Sequence, residues 1–129
     1  MNINTHNKIN NSLCGTPLIV KDGYSQVELI LTENMKVDDY NLVHGGFIFG
    51  LADYAAMIAV NHPNVVLGSS EVKFLKPVIV DDILRADALV ELNEGKKRIV
   101  NVSVYRNTEK VFEGKFICFA LEKHVLNKN

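Results

Sequence analysis

One carboxylate, Asp53, stands in a run of sixteen residues from Gly45 to Val60, GGFIFGLADYAAMIAV, that holds no other group charged at neutral pH. A carboxylate among apolar neighbours must be paired, hydrogen-bonded or open to a cavity. In a cavity its pKa is perturbed, and it can serve as a general base or a nucleophile. His44-Gly45-Gly46 stands at the head of the same run. Two glycines leave the first N–H groups of a helix uncovered by side chains, and those groups have no intrahelical acceptor. With the positive end of the helix dipole they suit a carbonyl oxygen that is turning into an oxyanion. Gly45 and Asp53 are eight residues apart, about 12 Å along a helix. One helix therefore cannot bring its own Gly45 amide and Asp53 carboxylate to one carbonyl. Two antiparallel helices related by a two-fold axis can, which predicts a composite site made by two chains.

The elements that must hold these groups follow from periodicity. Gly45–Val60 has apolar residues on every side and many helix formers, so it reads as a helix buried nearly all round, closed before Pro63. Before it, Thr16–Val20 reads as an edge strand, Asp22-Gly23 as a tight turn, and Val27, Leu29 and Leu31 as one face of a strand. Residues 34–43 read as a loop. After the helix come strands: one with Val72 and Phe74 on one face, one with Leu84, Ala86, Ala88, Val90 and Leu92, one with Val100, Val102 and Val104, and a last one with Phe112, Phe116, Cys118 and Ala120. Turns at 93–96 and 107–108 make consecutive strands antiparallel neighbours. A curved antiparallel sheet wrapped around one long central helix, an α+β arrangement, buries both elements. The helix is too apolar for one small sheet to cover, which again predicts a second subunit. Residues 1–12, polar and Asn-rich, are expected to be a flexible lead-in, 13–123 a single domain, and 124–129 a tail.

Composition narrows the functions. The 129 residues suit one domain, and 47% hydrophobic with 22% charged residues is ordinary for a globular protein. A formal net charge of −1 gives no electrostatic footprint for nucleic acid or an anionic membrane. Cys14 and Cys118 are far apart and form no CxxC pair, so no zinc or redox motif is expected. Cys118 reads as a core residue. His6, His62 and His124 lack metal-ligand spacing and read as surface residues. The first fifteen residues lack the apolar core of a signal peptide, and no apolar stretch is long enough for a bilayer. The expectation is a cytoplasmic protein with reduced thiols.

The segment from His44 through Asp53, HGGFIFGLAD, followed by Val72-Lys73-Phe74-Leu75-Lys76-Pro77-Val78 and Asp81-Asp82, resembles the hotdog-fold acyl-CoA thioesterases, in particular the phenylacetate-pathway type. The resemblance in element order runs from about Leu13 to Lys123. It implies a hotdog fold and dimers with a continuous sheet, which in that family often pair into tetramers. It implies that the Gly45 amide polarises the thioester carbonyl and that Asp53 of the other subunit activates water or attacks. His44 and Gly46 fall at the substrate end of the helix, where the resemblance gives His44 a structural or orienting part. The resemblance requires no metal and no cofactor; coenzyme A enters as part of the substrate. A coenzyme A tail carries phosphates, for which Lys73, Lys76, Arg98 and Arg106 are the candidate cations.

Two positions depart from that pattern. Asp38 stands six residues before His44, where the family commonly has Asn or Gln, and Asn41 is the nearby substitute. Met57 stands four residues after Asp53, where the family often has a hydroxyl residue; Ser69 or Ser70 can supply one, and strand alternation allows only one of them to face the cleft. A related group binds acyl-CoA without hydrolysing it, as ligand sensors, and usually lacks the helix acid. Asp53 favours the enzyme; the two departures favour the sensor. A dehydratase is disfavoured, because its His-Phe-Pro-Gly type of loop is absent.

Overall fold

The computed structural model describes residues 1–127, so residues 128 and 129 of the expected tail lie outside it. A four-residue helix, α1 (Asn11–Cys14), leads into the hairpin β1 (Thr16–Lys21) and β2 (Tyr24–Ile30). The central helix α2 (Gly45–Val60) follows, then β3 (Val65–Phe74), β4 (Ile83–Glu94), β5 (Lys97–Arg106) and β6 (Glu109–Ala120). The sixteen-residue apolar run is the helix, residue for residue. Asn61 ends it in the left-handed conformation at φ 54°, its N–H donating 2.8 Å to the Met57 carbonyl. Asn tolerates that conformation better than most residues, and Pro63 stops any continuation.

The six strands form one antiparallel sheet in the order β1-β2-β4-β5-β6-β3. It curls around α2, and the core lies between them: Val27, Leu29, Leu84, Ala86, Ala88, Val100, Val102, Val104, Phe112 and Phe116 meet Leu51, Ala52, Ala55, Ala56 and Ile58. Small alanines on the helix let the sheet come close, and larger strand residues fill the space between. Ser25 is a buried polar exception on β2; its hydroxyl donates 2.6 Å to the Ala55 carbonyl, which satisfies it and pins the helix to the sheet. The curved antiparallel sheet around one central helix, expected from the helix and strand pattern, is the observed arrangement.

The expected neighbour relation of consecutive strands fails at one place. β3 does not pair with β4; it lies at the far edge beside β6. The connection 75–82 is no tight turn. The Leu75 N–H donates to the Val111 carbonyl, Val43 donates to Val78, and Leu31 donates to Asp82, so the segment crosses from the β6 edge to the β2–β4 side. Pro77 inside it lacks the N–H that a hairpin ladder would use. The inward series on β4 also stops early. A bulge between Val90 and Leu92 leaves Leu92 on the surface.

The first residues do not stand apart from the domain as a lead-in would. Thr5 is 5% exposed, and Ile3, Ile9 and Leu13 pack on the core. The Asn61 side chain ties the segment down, accepting 2.8 Å from the Asn4 N–H and donating 2.7 Å to the Asn2 carbonyl. Asn10 caps α1 through the Ser12 N–H. Gly15 then turns the chain into β1 at φ 108°, where a Cβ would meet Val27 Cγ1 at 2.6 Å, so both conformation and space require glycine.

Candidate active site

Asp53 sits on the side of α2 that the sheet leaves uncovered, in line with Gly46 and Gly50, and a Cβ on Gly50 would meet nothing within 4 Å. Its Oδ1 is buried without a hydrogen-bond partner. Burial raises the carboxyl from its ordinary value of 3.8 to about 6. The group lines a cavity of about 500 Å³ together with Met57, Pro63, Val65, Leu67 and residues 4–7 of the N-terminal segment. An unpartnered carboxylate facing a cavity is a poor structural element and a ready proton acceptor.

The head of the helix is built differently from the simple picture of two bare amides. His44 is the N-cap, and its Nδ1 accepts the Gly46 N–H at 2.7 Å. The Gly46 amide is therefore already satisfied, and the His44 ring serves the helix. The Gly45 N–H has no acceptor among the described residues. Gly45 itself lines a second cavity, about 300 Å³, together with Ile48, Phe74, Leu75, Lys76, Pro77 and Val78. A Cβ on Gly46 would come 2.8 Å from His44 Nδ1. Gly46→Ala is thus expected to break the cap and lower stability by about 1 kcal/mol, read as a lower denaturant midpoint at unchanged m-value.

Within one chain, the Asp53 and Gly45 groups line separate cavities. The two departures also find physical explanations. Asp38 Oδ1 accepts the N–H groups of Tyr40 and Leu42 at 2.9 and 3.2 Å, so its carboxylate folds the loop. Asn41, exposed and at φ 66°, contributes its carbonyl to the Val80 N–H. Met57 is buried beside the Asp53 cavity. Both serines are exposed and neither lines the Asp53 or the Gly45 cavity; the bulge at Gly68 sets only their faces. Ser70 lies opposite Phe116 and shares its inward face, whereas Ser69 lies opposite Ile117 on the outer face. A glycine is needed at the bulge because a Cβ there would meet the Phe119 ring at 2.5 Å.

The candidate cations separate in the same way. Lys73 lies opposite Glu113 on the outer face of the sheet, away from both cavities. Arg106 pairs with Asp82 at 2.9 Å and with Glu109, and it donates to the Pro77 carbonyl, so it staples the 75–82 connection. Arg98 donates to the Gly95 and Lys97 carbonyls at the hairpin end. Lys76 alone of the four borders the Gly45 cavity. The cysteines offer no thiolate: burial, then the Asp53 charge, push Cys118 up to about 12 and raise Cys14.

Periodicity missed Thr5 and His6. His6 was expected at the surface, yet it is half-buried and lines the Asp53 cavity. The available signal was Ile3, Ile9 and Leu13, apolar residues in a stretch otherwise polar. No helix among the described residues is long and apolar enough to cross a membrane.

The model of the Thioesterase superfamily matches residues 40–112, from the loop before α2 into β6. The chain is 54% identical over 116 residues to a methylthioribose-1-phosphate isomerase of Aquifex aeolicus, covering 90% of this chain and 25% of that protein. It is 35% identical over 97 residues to the transcription factor FapR of Caldanaerobacter subterraneus, covering 75% of this chain and 48% of that one. The chain thus spans about a quarter to a half of these curated relatives. The crystal structure of protein PH1136 from Pyrococcus horikoshii superposes with a TM-score of 0.97 at 56% identity, covering 98% of each chain. With its curved six-stranded sheet, its single long central helix and a family match that takes in the whole of that helix, the chain belongs to the Thioesterase superfamily and has the hotdog fold.

Proposed function

We propose that the protein hydrolyses acyl-CoA thioesters at a site shared between two copies of the chain. The observation that carries this reading is the unpartnered Asp53 carboxylate, half-buried on the open side of α2 with its pKa raised to about 6. The second copy is called for by β3. This ten-residue strand is a sheet edge, with one row of backbone groups unpaired and Phe74 55% exposed at its end. Its first residues, Val65 and Leu67, line the Asp53 cavity, and its last, Phe74, lines the Gly45 cavity. Antiparallel pairing of β3 with a second β3 about a two-fold axis lays the start of one strand beside the end of the other. The Asp53 carboxylate of one protomer then faces the Gly45 amide of its partner.

In such a site the Gly45 N–H holds the thioester carbonyl oxygen. Asp53 accepts a proton from a water molecule, whose oxygen bonds to the carbonyl carbon. The resulting oxyanion stays on the Gly45 N–H and the helix dipole. Its collapse breaks the carbon–sulfur bond and releases the coenzyme A thiolate, which takes up the proton from Asp53. Lys76 at the rim of the Gly45 cavity supports binding of the coenzyme A phosphates.

Thiol release from a panel of short, aromatic and long acyl-CoAs tests the reading. Because Asp53 must be ionised to accept a proton, kcat/KM is expected to rise about tenfold per pH unit below its pKa of about 6 and to level above it. A profile flat between pH 4.5 and 7 removes Asp53 as the base. A second reading is a ligand sensor that binds acyl-CoA and does not turn it over. It is favoured by Asp38 and Met57 at positions where the resembled enzymes carry an amide and a hydroxyl, and by the likeness to FapR, a transcription factor by name and not an enzyme. Tight binding without thiol release selects it.

A further inference from the structure

The N-terminal segment brings a second polar group to the Asp53 cavity, and the proposed reaction does not use it. His6 lines that cavity with its backbone at φ 56°, a conformation unfavourable for a residue with a Cβ. Three arrangements hold it there. The Thr5 side chain, on a residue 5% exposed, lies with Oγ1 2.8 Å from His6 Nδ1. The His6 carbonyl accepts the Ile9 N–H at 3.1 Å. On the N-terminal side, Asn61 clamps Asn2 and Asn4. A buried threonine spent on orienting a half-buried imidazole is an expensive arrangement if the ring only fills space. Burial also lowers the His6 pKa, which keeps the ring neutral near pH 7 and leaves Nε2 as its remaining polar atom.

The chemistry of the cavity says which part of a substrate it takes. Its lining contains no Lys or Arg, so it does not suit the phosphates of coenzyme A. Its apolar side, Met57, Pro63, Val65 and Leu67, suits carbon chain, and its other side is polar; of the two imidazoles on that side, His124 is exposed to solvent and His6 is half-buried against Thr5. Resting on the thioesterase reading, we propose that this cavity holds the acyl group and that His6 selects acyl groups bearing a hydroxyl on the chain. A hydroxyl can accept from Nε2–H or donate to a bare Nε2, so it satisfies the ring in either tautomer that the Thr5 contact permits. A plain hydrocarbon chain leaves that nitrogen unpaired and partly desolvated.

The test compares butanoyl-CoA, 3-hydroxybutanoyl-CoA and 4-hydroxybutanoyl-CoA with the full-length protein. The expected result is a kcat/KM about tenfold higher for at least one hydroxyacyl substrate than for butanoyl-CoA, the worth of one buried hydrogen bond. The ratio should fall to about one in His6→Phe and to an intermediate value in Thr5→Val, which keeps the ring and removes its orienting partner. Dissociation constants of the same three ligands, measured on the wild-type protein with a non-hydrolysable thioether in place of the thioester, provide the ratio independently of turnover. Absence of thiol release together with a hydroxyl preference in binding overturns the hydrolase reading and keeps the acyl preference. Equal kcat/KM and equal binding for all three, or a preference that survives in His6→Phe, overturns the role of His6.

Discussion

Replacing Asp53 by asparagine is expected to lower kcat/KM for thioester hydrolysis by about 10³-fold, within the range supplied by a positioned general base. Asparagine keeps the shape of the side chain and cannot accept the proton, so the acyl-CoA dissociation constant should change little. The same substitution has an opposite effect on stability. The Asp53 pKa is about 6 in the folded protein, above the ordinary 3.8, so between these values the folded chain holds the proton more tightly than the unfolded one. Wild-type stability therefore falls as pH rises through this window, by about 3 kcal/mol if the full difference is realised. Asp53→Asn lacks that slope. Measured by chemical denaturation at pH 4 and pH 7, the stability of the variant relative to wild type should increase toward pH 7. Parallel curves would show that the carboxylate is not held in a desolvated site. An acid kept at such a cost to folding is what a functional carboxylate looks like.

The second large effect is expected at Gly45. Proline there removes an N–H of the helix head that has no acceptor among the described residues, and it does so at the first helical position, where proline is tolerated. His44, at φ −60° and ψ 132°, already has the extended conformation that a residue before proline requires. Gly45→Pro should therefore fold and lose about 10²–10³-fold in kcat, the usual loss on removing one oxyanion donor. Gly45→Ala is the control. Its Cβ meets the same neighbour, Phe74 Cε1 at 3.2 Å, and the ring is exposed enough to yield, but the N–H remains. If alanine loses as much activity as proline, the effect is steric and the amide has no special role.

What was legible in the sequence was local. Helix α2 was bounded at both ends because the glycine pair, the unbroken apolar composition and Pro63 all act within one turn of the positions they mark. The hairpins β1–β2, β4–β5 and β5–β6 were legible for the same reason, from Gly23, Gly95 and Asn107, each at positive φ in its turn. The place of β3 was not, because its partner β6 is chosen by contacts 38 to 55 residues away and its own alternation is reset by the bulge at Gly68. That bulge also puts Ser70 and not Ser69 on the inward side of β3, with both serines exposed, and strand register puts Lys73 on the outer face. The structural reading of His44 at the helix start agrees with its Nδ1 accepting the Gly46 N–H, which commits that nitrogen to the helix and not to a substrate. His6 was lost for a compositional reason: a polar, Asn-rich stretch looks unable to pack, yet three spaced apolar residues and one asparagine clamp suffice to lay it on the core.

The composite site is tested most directly by mixing two inactive chains. Asp53→Asn and Gly45→Pro are each expected to be inactive alone. A hybrid dimer of the two holds one site that pairs an intact Asp53 with an intact Gly45, and one site that lacks both. Random reassembly of equal amounts makes half the dimers hybrids with one working site each, so total thiol release should return to about a quarter of the wild-type value. A mixture no more active than the separate variants, with hybrid dimers shown to have formed, contradicts a shared site and places Asp53 and Gly45 in unconnected roles.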